Sequence, residues 1–380
     1  MKLLLSVVVV FFLCCCSNNS TRVNGITDII MPITTKSFAL DSISVPSSQS
    51  VCLYEDSTGK EIFSFLNEFT NNIYFYDYIS AELILKRAFD ADVIQGYSVD
   101  GRKHILYSYC NKKGVCSEYD MISGLLEKSY LIKPQRNHNK NLIMPIPYVT
   151  TISPIGVGKE FLSFIGLQAG EPKDESNVNR PVVLLLDVTS GDVKYRVNYP
   201  SVYQKSNWGG RLTYRLPYYT LSPEGDKMLI SFAACDSITV YDIVRDKTFK
   251  VYCGSGALKS PKPYSKKKYD ISSSGEFEWY MKNYSYEGIL YDRYRQCYYR
   301  FGRLPFDDYK PTDRINKKPT VVIVMDSTMT VVGEYCLPDK HYIPGASFVS
   351  KEGLNIQVYS NNENIMLFDV FSLTQVSQVI

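Results

Sequence analysis

Beyond residue 36, apolar residues come in short runs that are rich in β-branched and aromatic side chains. Examples are Ile73–Tyr76, Val182–Leu186, Met228–Phe232 and Val321–Met325. Short apolar runs bounded by turn residues, with almost no helical period, are typical of strands that pack in a core. The pattern therefore predicts an all-β chain.

Aspartate recurs at the ends of these runs. The recurring residues are Asp77, Asp120, Asp187, Asp242, Asp292, Asp326 and Asp369. Their mean spacing of about 49 residues matches the repeat of a β-propeller, in which each blade is a four-stranded antiparallel sheet of roughly 40–50 residues. The period is too long for the shorter solenoid repeats.

A glycine precedes most of these aspartates at a nearly constant interval, as expected for a hairpin turn that needs a positive φ. The glycines are Gly59, Gly101, Gly158, Gly225, Gly275 and Gly353, and the interval is 16 to 19 residues except after Gly158, where a polar insert lengthens it. Asp326 lacks a matching glycine. The sequence predicts a six-bladed β-propeller, and the hairpin around residues 321–336 is either an extra element or an incomplete seventh blade.

Long polar segments are predicted to emerge on one face of this propeller. In a blade with strands A to D, counted from the axis outwards, the A–B and C–D turns share one face, whereas the B–C and D–A connections share the other. Long loops on a rigid scaffold often carry binding residues, and aromatic and Arg side chains dominate recognition sites. The predicted ligand-binding residues lie in these segments and are Tyr203, Trp208, Arg211, Tyr264, Lys268, Asp307 and Arg314.

The first sixteen residues have the pattern of an export signal. After Met1 and Lys2, an apolar run of eleven positions extends from Leu3 to Leu13, with Ser6 as its one polar residue, and three cysteines follow. A transmembrane helix needs about twenty apolar residues, whereas a signal peptide needs about seven to fifteen. The segment is therefore predicted to be a cleaved signal peptide.

The cysteines resemble the lipobox of bacterial lipoproteins, in which a cysteine at the cleavage site is acylated. Cys16 fits best because Leu13 lies three positions upstream, Cys15 is the alternative, and an ordinary secretory signal is the other interpretation. The predicted organisation is a signal peptide at residues 1–15, a lipidated cysteine with a polar tether at residues 16–35, and a β-propeller at residues 36–380. Acyl chains such as palmitate would attach the protein to the lipid bilayer of the cell envelope, with the outer membrane as the expected location.

Charge and composition argue against several classes of partner and cofactor. The net charge of +3 is too balanced to predict binding to nucleic acid. The three histidines, His104, His138 and His341, are far apart and lack the spacing of metal ligands. Phosphate-binding loops and nucleophile elbows are absent from the sequence. No catalytic residue, metal or cofactor is therefore predicted.

Two segments of the first predicted blade, Phe65–Glu68 and Asn71–Asp77, resemble the opening signature of a family of uncharacterised Bacteroidota lipoproteins. That family is known as a domain of unknown function with a propeller-like fold. The resemblance extends over nearly all of residues 36–380 and implies a six-bladed propeller, lipidation and an envelope location. It implies no established chemistry, because the matching residues are mostly structural.

The sequence favours a non-enzymatic binding or scaffold propeller of the cell envelope. Its ligand would be a glycan, a peptide or an envelope protein bound on the face with the long loops. The alternative is a propeller enzyme, such as a lyase, a hydrolase or a quinone-dependent dehydrogenase, because the fold alone does not determine function. A deep pocket with convergent acid, base and Arg groups would favour the enzyme, and a shallow aromatic surface would favour binding.

Acylation at Cys16 can be tested by substitution of the adjacent cysteines. Cys16→Ser should abolish incorporation of an alkyne-tagged palmitate because that thiol is the predicted acceptor, and Cys15→Ser should leave incorporation unchanged. Labelled protein is measured by fluorophore coupling and gel electrophoresis. The opposite result would identify Cys15 as the acceptor, and labelling that survives both substitutions would contradict lipidation at this motif.

Overall fold

Strand pairing divides the computed structural model into antiparallel sheets that form the blades of a six-bladed β-propeller. The structure describes residues 29–89, 93–132, 145–167, 180–209, 212–265 and 274–373. The predicted signal peptide and Cys16 lie outside these residues. The all-β class and the six blades that the sequence predicts are confirmed.

The first described strand is β1 (Ile30–Ala39). Three blades follow it in the sequence, and the strands of each blade run in order from the axis outwards. Blade one contains β2 (Val51–Glu55), β3 (Glu61–Asn67), β4 (Asn72–Asp77) and β5 (Leu83–Ala88). Blade two contains β6 (Gly96–Asp100), β7 (Ile105–Cys110), β8 (Val115–Asp120) and β9 (Leu126–Leu131). Blade three contains the short β10 (Ile146–Pro147) and β11 (Gly156–Val157), both paired with β12 (Phe161–Leu167), then β13 (Pro181–Asp187) and β14 (Val193–Asn198).

The remaining blades are more widely separated in the sequence. Helices α1 (Val202–Lys205) and α2 (Leu212–Arg215) precede blade four, which contains β15 (Pro217–Leu221), β16 (Lys227–Phe232), β17 (Ser237–Asp242) and β18 (Lys247–Tyr252). Helix α3 (Ser274–Met281) precedes blade five, which contains β19 (Ser285–Asp292), β20 (Cys297–Arg303), β21 (Thr320–Met325) and β22 (Val331–Cys336), with a 3-10 turn at Ile315–Lys317. Blade six contains β23 (Tyr342–Val349), β24 (Leu354–Val358) and β25 (Ile365–Leu373). Among the described residues, no helix is long and apolar enough to cross a membrane.

The N-terminal strand completes the last blade and closes the ring. Strand β1 pairs antiparallel with β25, so that Ile30 lies opposite Leu373 and Ala39 lies opposite Ile365. The ring of Phe38 in β1 stacks on Phe63 of blade one with 4.1 Å between centroids. The first described strand of the propeller therefore begins at Ile30, six residues before the predicted start at residue 36. The described strands of the closed ring lie within residues 30–373.

Five of the seven recurring aspartates close C–D turns, which explains their spacing; Asp292 lies at an A–B turn and Asp369 lies within β25. In blade one, Asp77 Oδ1 accepts hydrogen bonds from the backbone N–H groups of Ile79 at 2.8 Å and Ser80 at 2.7 Å. In blade three, Asp187 accepts the corresponding bonds at 2.8 and 2.9 Å. A carboxylate that binds the N–H groups two and three residues ahead replaces backbone partners that a tight turn cannot supply. The conformation of each C–D turn with such an aspartate is therefore determined by residues within the turn itself.

Blade five corrects the predicted register of the repeat. Asp292 ends β19, the innermost strand, and Asp326 follows β21, the third strand. The hairpin around residues 321–336 is therefore the outer half of blade five and is not an extra hairpin or a seventh blade. Gly275 lies in α3 rather than in a turn, and Gln296, with a φ of 53°, supplies the left-handed residue of the A–B turn. The misassignment arose because that turn contains no glycine.

Apolar cores lie between neighbouring sheets. A buried arginine also joins the sheets of blades four and five. Arg300 of β20 is fully buried, and its Nε donates to Ser231 Oγ in blade four at 3.0 Å. The guanidinium also donates to the carbonyls of Cys235, Asp236 and Cys253 and lies 4.0 Å from the ring centroid of Tyr286. Several acceptors of blade four therefore depend on one side chain from blade five.

Arg300→Met should lower the free energy of unfolding by about 3 kcal/mol, because it leaves buried carbonyl oxygens and a hydroxyl without their donor. Arg196→Met is the matched control, because Arg196 makes a largely exposed ion pair with Asp246 and such pairs contribute less than about 1 kcal/mol. Equilibrium unfolding in guanidinium chloride measures both. Equal losses in the two variants would contradict the structural role of Arg300.

Candidate binding site

The long connections lie on the predicted face. The connections that contain α1, α2 and α3 join an outermost strand to the next innermost strand, and residues 304–319 join β20 to β21. We call the face with the B–C and D–A connections the long-loop face, and the face with the A–B and C–D turns the turn face. The chain therefore extends its loops mainly on one side of the ring.

Three of the predicted ligand-binding residues pack in the core of the long-loop face. Tyr203, Trp208 and Tyr264 are 1%, 2% and 8% exposed. The Tyr203 hydroxyl donates to the Tyr214 carbonyl at 2.8 Å, and Trp208 Nε1 donates to the Val202 carbonyl at 3.0 Å. This corrects the prediction that these three rings form an exposed contact surface. They hold the loops together instead, because an apolar ring gains more from burial than from solvent contact.

The other predicted residues remain predictions. Asp307 and Arg314 are exposed, and the Arg314 guanidinium lies 5.7 Å from the ring centroid of Tyr359. Neither side chain is among the described residues that line the cavity below. Arg211 and Lys268 lie outside the described residues.

A cavity of about 810 Å³ opens on the long-loop face, and we call it the axial pocket. Its walls come from the innermost strands and the adjoining connections of blades one, three, four, five and six. The polar and aromatic part of the lining includes Gln49, Glu68, Tyr148, Tyr218, Glu287 and Arg303. Apolar residues such as Ile152, Leu216 and Ile343 complete the wall. The pocket thus combines apolar surface with a few directed polar groups, which is typical of ligand sites.

A β-bulge lies at the position of the charged residue Glu287 in this wall. The pairing of β19 with β20 shifts register between Tyr286 and Ile289, and Glu287 and Gly288 lie within that shift. A Cβ added to Gly288 would lie 2.8 Å from the side chain of Ile152 in blade three. Bulges re-aim side chains at such positions, and the glycine allows the close approach of the neighbouring blade.

Glu287 and Arg303 form a charged pair in the pocket wall. Glu287 Oε1 lies 3.8 Å from Arg303 Nε and accepts a hydrogen bond from the Tyr280 hydroxyl at 3.0 Å. Arg303 is 2% exposed and donates to Thr320 Oγ1 at 3.0 Å and to the Ile315 carbonyl at 2.6 Å. Its Nε is buried and makes no hydrogen bond. A ligand oxygen in the pocket would give this N–H the acceptor that its geometry favours.

A second buried cation lies behind this pair. Lys318 is 1% exposed and donates to the backbone carbonyls of Tyr280 and Asn283. Burial, and then the positive charge of Arg303, hold the pKa of Lys318 well below its usual value, and Glu287 opposes this shift. Lys318 joins the B–C connection of blade five to the D–A connection that precedes the blade. It therefore braces the wall that carries Glu287 and Arg303.

Two tyrosines present neutral hydroxyls to the pocket. Burial, and then the charge of Glu287, raise the pKa of Tyr218 well above its usual value. Burial, and then Glu68, raise the pKa of Tyr148. Both hydroxyl groups therefore stay protonated at neutral pH, and both rings offer an aromatic surface. The Tyr148 hydroxyl donates to Gln49 Oε1 at 3.4 Å.

The sequence did not predict the axial pocket because its lining residues come from five blades and lie far apart in the sequence. The signal that could have identified one of them is the acidic residue and glycine, Glu287 and Gly288, inside an otherwise apolar strand. Within the described ranges, no group of three or more His, Cys, Asp or Glu side chains is placed to hold a metal ion.

Comparison with known proteins places the fold in a family. Residues 30–335 match the family described as a domain of unknown function (DUF4221). The crystal structure of a DUF4221 member from Bacteroides vulgatus is 19% identical, with a TM-score of 0.75, and covers 91% of this chain and 98% of its own. A putative exported protein from Bacteroides fragilis is 10% identical, with a TM-score of 0.53 and coverages of 93% and 98%.

These structures share the fold, and at this identity they carry no information about activity. No curated protein matches the chain. The resemblance seen in the first predicted blade is confirmed by the family match, which spans most of the sequence. The chain therefore belongs to the DUF4221 family, a propeller family whose function is unknown.

Proposed function

We propose that this protein is a non-enzymatic binding module of the cell envelope, anchored by a lipid on Cys16, that holds a small polar ligand in the axial pocket. The observation that carries the proposal is the pocket itself, with the Glu287–Arg303 pair in its wall. Its volume of about 810 Å³ lies within the range of roughly 300–1,000 Å³ that is usual for small-molecule sites. A folded partner protein could cover such a pocket but could not fill it.

The chemistry of the lining favours a glycan of one to three sugar units. The rings of Tyr148 and Tyr218 offer apolar faces of the kind on which the C–H surface of a sugar packs. Gln49, Glu68 and Glu287 offer amide and carboxylate groups, which accept hydrogen bonds from hydroxyl groups. A short peptide shares part of this chemistry, and it is the comparison class in the experiment below.

Glu287 is held in one position in the pocket wall, as the binding of a ligand requires. The Tyr280 hydroxyl donates to Glu287 Oε1, and the Arg303 guanidinium lies beside the same oxygen. Both neighbours fix the position of the carboxylate, which can accept a hydrogen bond from a hydroxyl group of the ligand. Among the described residues that line the pocket, no His or Cys accompanies the two glutamates. The pocket wall thus supplies directed hydrogen bonds.

A thermal-shift screen of the chain against mono- to trisaccharides and against di- and tripeptides tests this function. A ligand at a hundred times its Kd should stabilise the folded state by about 2.7 kcal/mol. For a saccharide that shifts the melting temperature, Glu287→Gln should raise the Kd at least tenfold, because it removes the charge while it keeps the shape of the side chain. Titration calorimetry measures the Kd.

Glu278→Gln is the matched control and should leave the Kd within twofold. Glu278 lies in α3 on the same face, and its ion pair with Lys282 is half exposed. A ligand whose affinity is unchanged in Glu287→Gln does not bind in the axial pocket and would contradict the proposal. Binding of a peptide and of no saccharide would contradict the glycan as ligand but not the binding function. Chemical conversion of the saccharide over time would favour the alternative that the protein is an enzyme.

A further inference from the structure

Exposed aliphatic side chains concentrate on three consecutive blades. On the long-loop face these blades expose Ile43 and Val93. Toward the turn face they expose Ile33 in β1 of blade six, Ile79 and Leu83 in blade one, and Ile122, Leu125 and Leu126 in blade two. We call these last six residues, which are 44% to 68% exposed, the apolar rim. Single exposed aliphatic residues are common in soluble proteins, but a set of this size along neighbouring elements indicates an interaction surface.

The apolar rim lies at one level of the molecule, where the outermost strands meet the turn face. Ile79 and Ile122 occupy the same position in successive C–D turns, two residues after Asp77 and Asp120. Leu83 and Leu126 begin the outermost strands that follow these turns. Ile33 lies near the start of β1 at a register shift in its pairing, which leaves it half exposed. The same turn position in blade three is polar, Thr189.

The chain enters the propeller beside the apolar rim. Strand β1 starts opposite Leu373, at the turn-face end of β25. Twelve residues lie between Cys16 and Ile29, which corresponds to at most about 45 Å of extended chain. A lipid on Cys16 would therefore hold this side of blades six, one and two near the bilayer at a high effective concentration.

Three of the four basic residues of the same outermost strands are paired within the protein. Lys36 forms an ion pair with Glu352 at 3.0 Å, and Lys86 forms one with Asp41 at 3.1 Å. Lys128 donates to the Val188 carbonyl at 2.5 Å. These cations are held by protein acceptors rather than directed to anionic headgroups. A contact made by the apolar rim would therefore depend on burial of aliphatic surface, and salt would screen it little.

We infer that the apolar rim rests in the interfacial region of the bilayer and orients the anchored protein, with the axial pocket directed away from the membrane. This inference rests on the lipid anchor of the proposed function. The pocket opens on the long-loop face and the apolar rim lies at the turn face, so contact with the membrane leaves the ligand site accessible. The partner of this surface is a lipid bilayer.

Thiol labelling of the full acylated chain tests the contact. Ile122→Cys and Ile79→Cys are prepared in the acylated protein, which is reconstituted in vesicles of phosphatidylethanolamine and phosphatidylglycerol at 3:1. Labelling by a membrane-impermeant maleimide should be at least tenfold slower in vesicles than in detergent for both positions. It should stay slow when the salt concentration rises from 0.1 to 0.5 M. The unsubstituted chain gives the background from the native cysteines.

Val244→Cys is the matched control. Val244 lies two residues after Asp242 in the C–D turn of blade four, is 79% exposed and is separated from the apolar rim by blade three. It should label equally fast in vesicles and in detergent. Equal labelling of all three positions in an acylated, vesicle-bound chain would overturn the bilayer contact alone, as would protection that salt abolishes. If the expressed protein carries no acyl group, both the proposed lipid anchor and this inference are wrong.

Discussion

Pairing of the first described strand with the last is the constraint on which the structure depends. Strand β1 supplies the outermost strand of blade six, and the Thr35 hydroxyl donates to Asp369 in β25 at 2.7 Å across 334 residues of sequence. This pairing joins the two ends of the described chain in one sheet and so keeps the ring closed. The axial pocket takes its walls from five blades, so its shape follows directly from closure.

Two long connections form a rigid wall beside the axis. Tyr203 and Trp208 fill the core of one connection, and α3 adds Trp279, which stacks on Tyr214 with 4.6 Å between ring centroids. Lys318 joins the next connection to the carbonyls behind this wall. The added chain length on the long-loop face is therefore largely used for packing. This packing holds the Glu287–Arg303 pair in one position, which matters for ligand binding.

The sequence was informative wherever a local interaction repeats. The aspartates revealed the blades because each C–D turn with such a residue needs the same acceptor, as at Asp77 and Asp187. The pairing of β1 was missed because no local pattern records a partner at the other end of the chain. Blade five was misassigned because Gln296 replaced the expected glycine.

The candidate site was harder to predict for a related reason. Aromatic residues in long loops suggested an exposed surface, yet Trp208 is buried because the loops are long enough to form their own core. The pocket residues come from five blades and lie far apart in the sequence, so they form no motif. A charged residue in an apolar strand, Glu287, is the signal that marks the site.

The central claim is that the ligand binds on the axis, at the long-loop face, against the Glu287–Arg303 pair. The most direct test is a crystal structure of the protein soaked with a saccharide that raises its melting temperature. We expect density for the sugar in the axial pocket, with a ligand oxygen within hydrogen-bond distance of Arg303 Nε or Glu287. Density for the same saccharide at the turn face, or on the outer strands with the pocket unchanged, would contradict it.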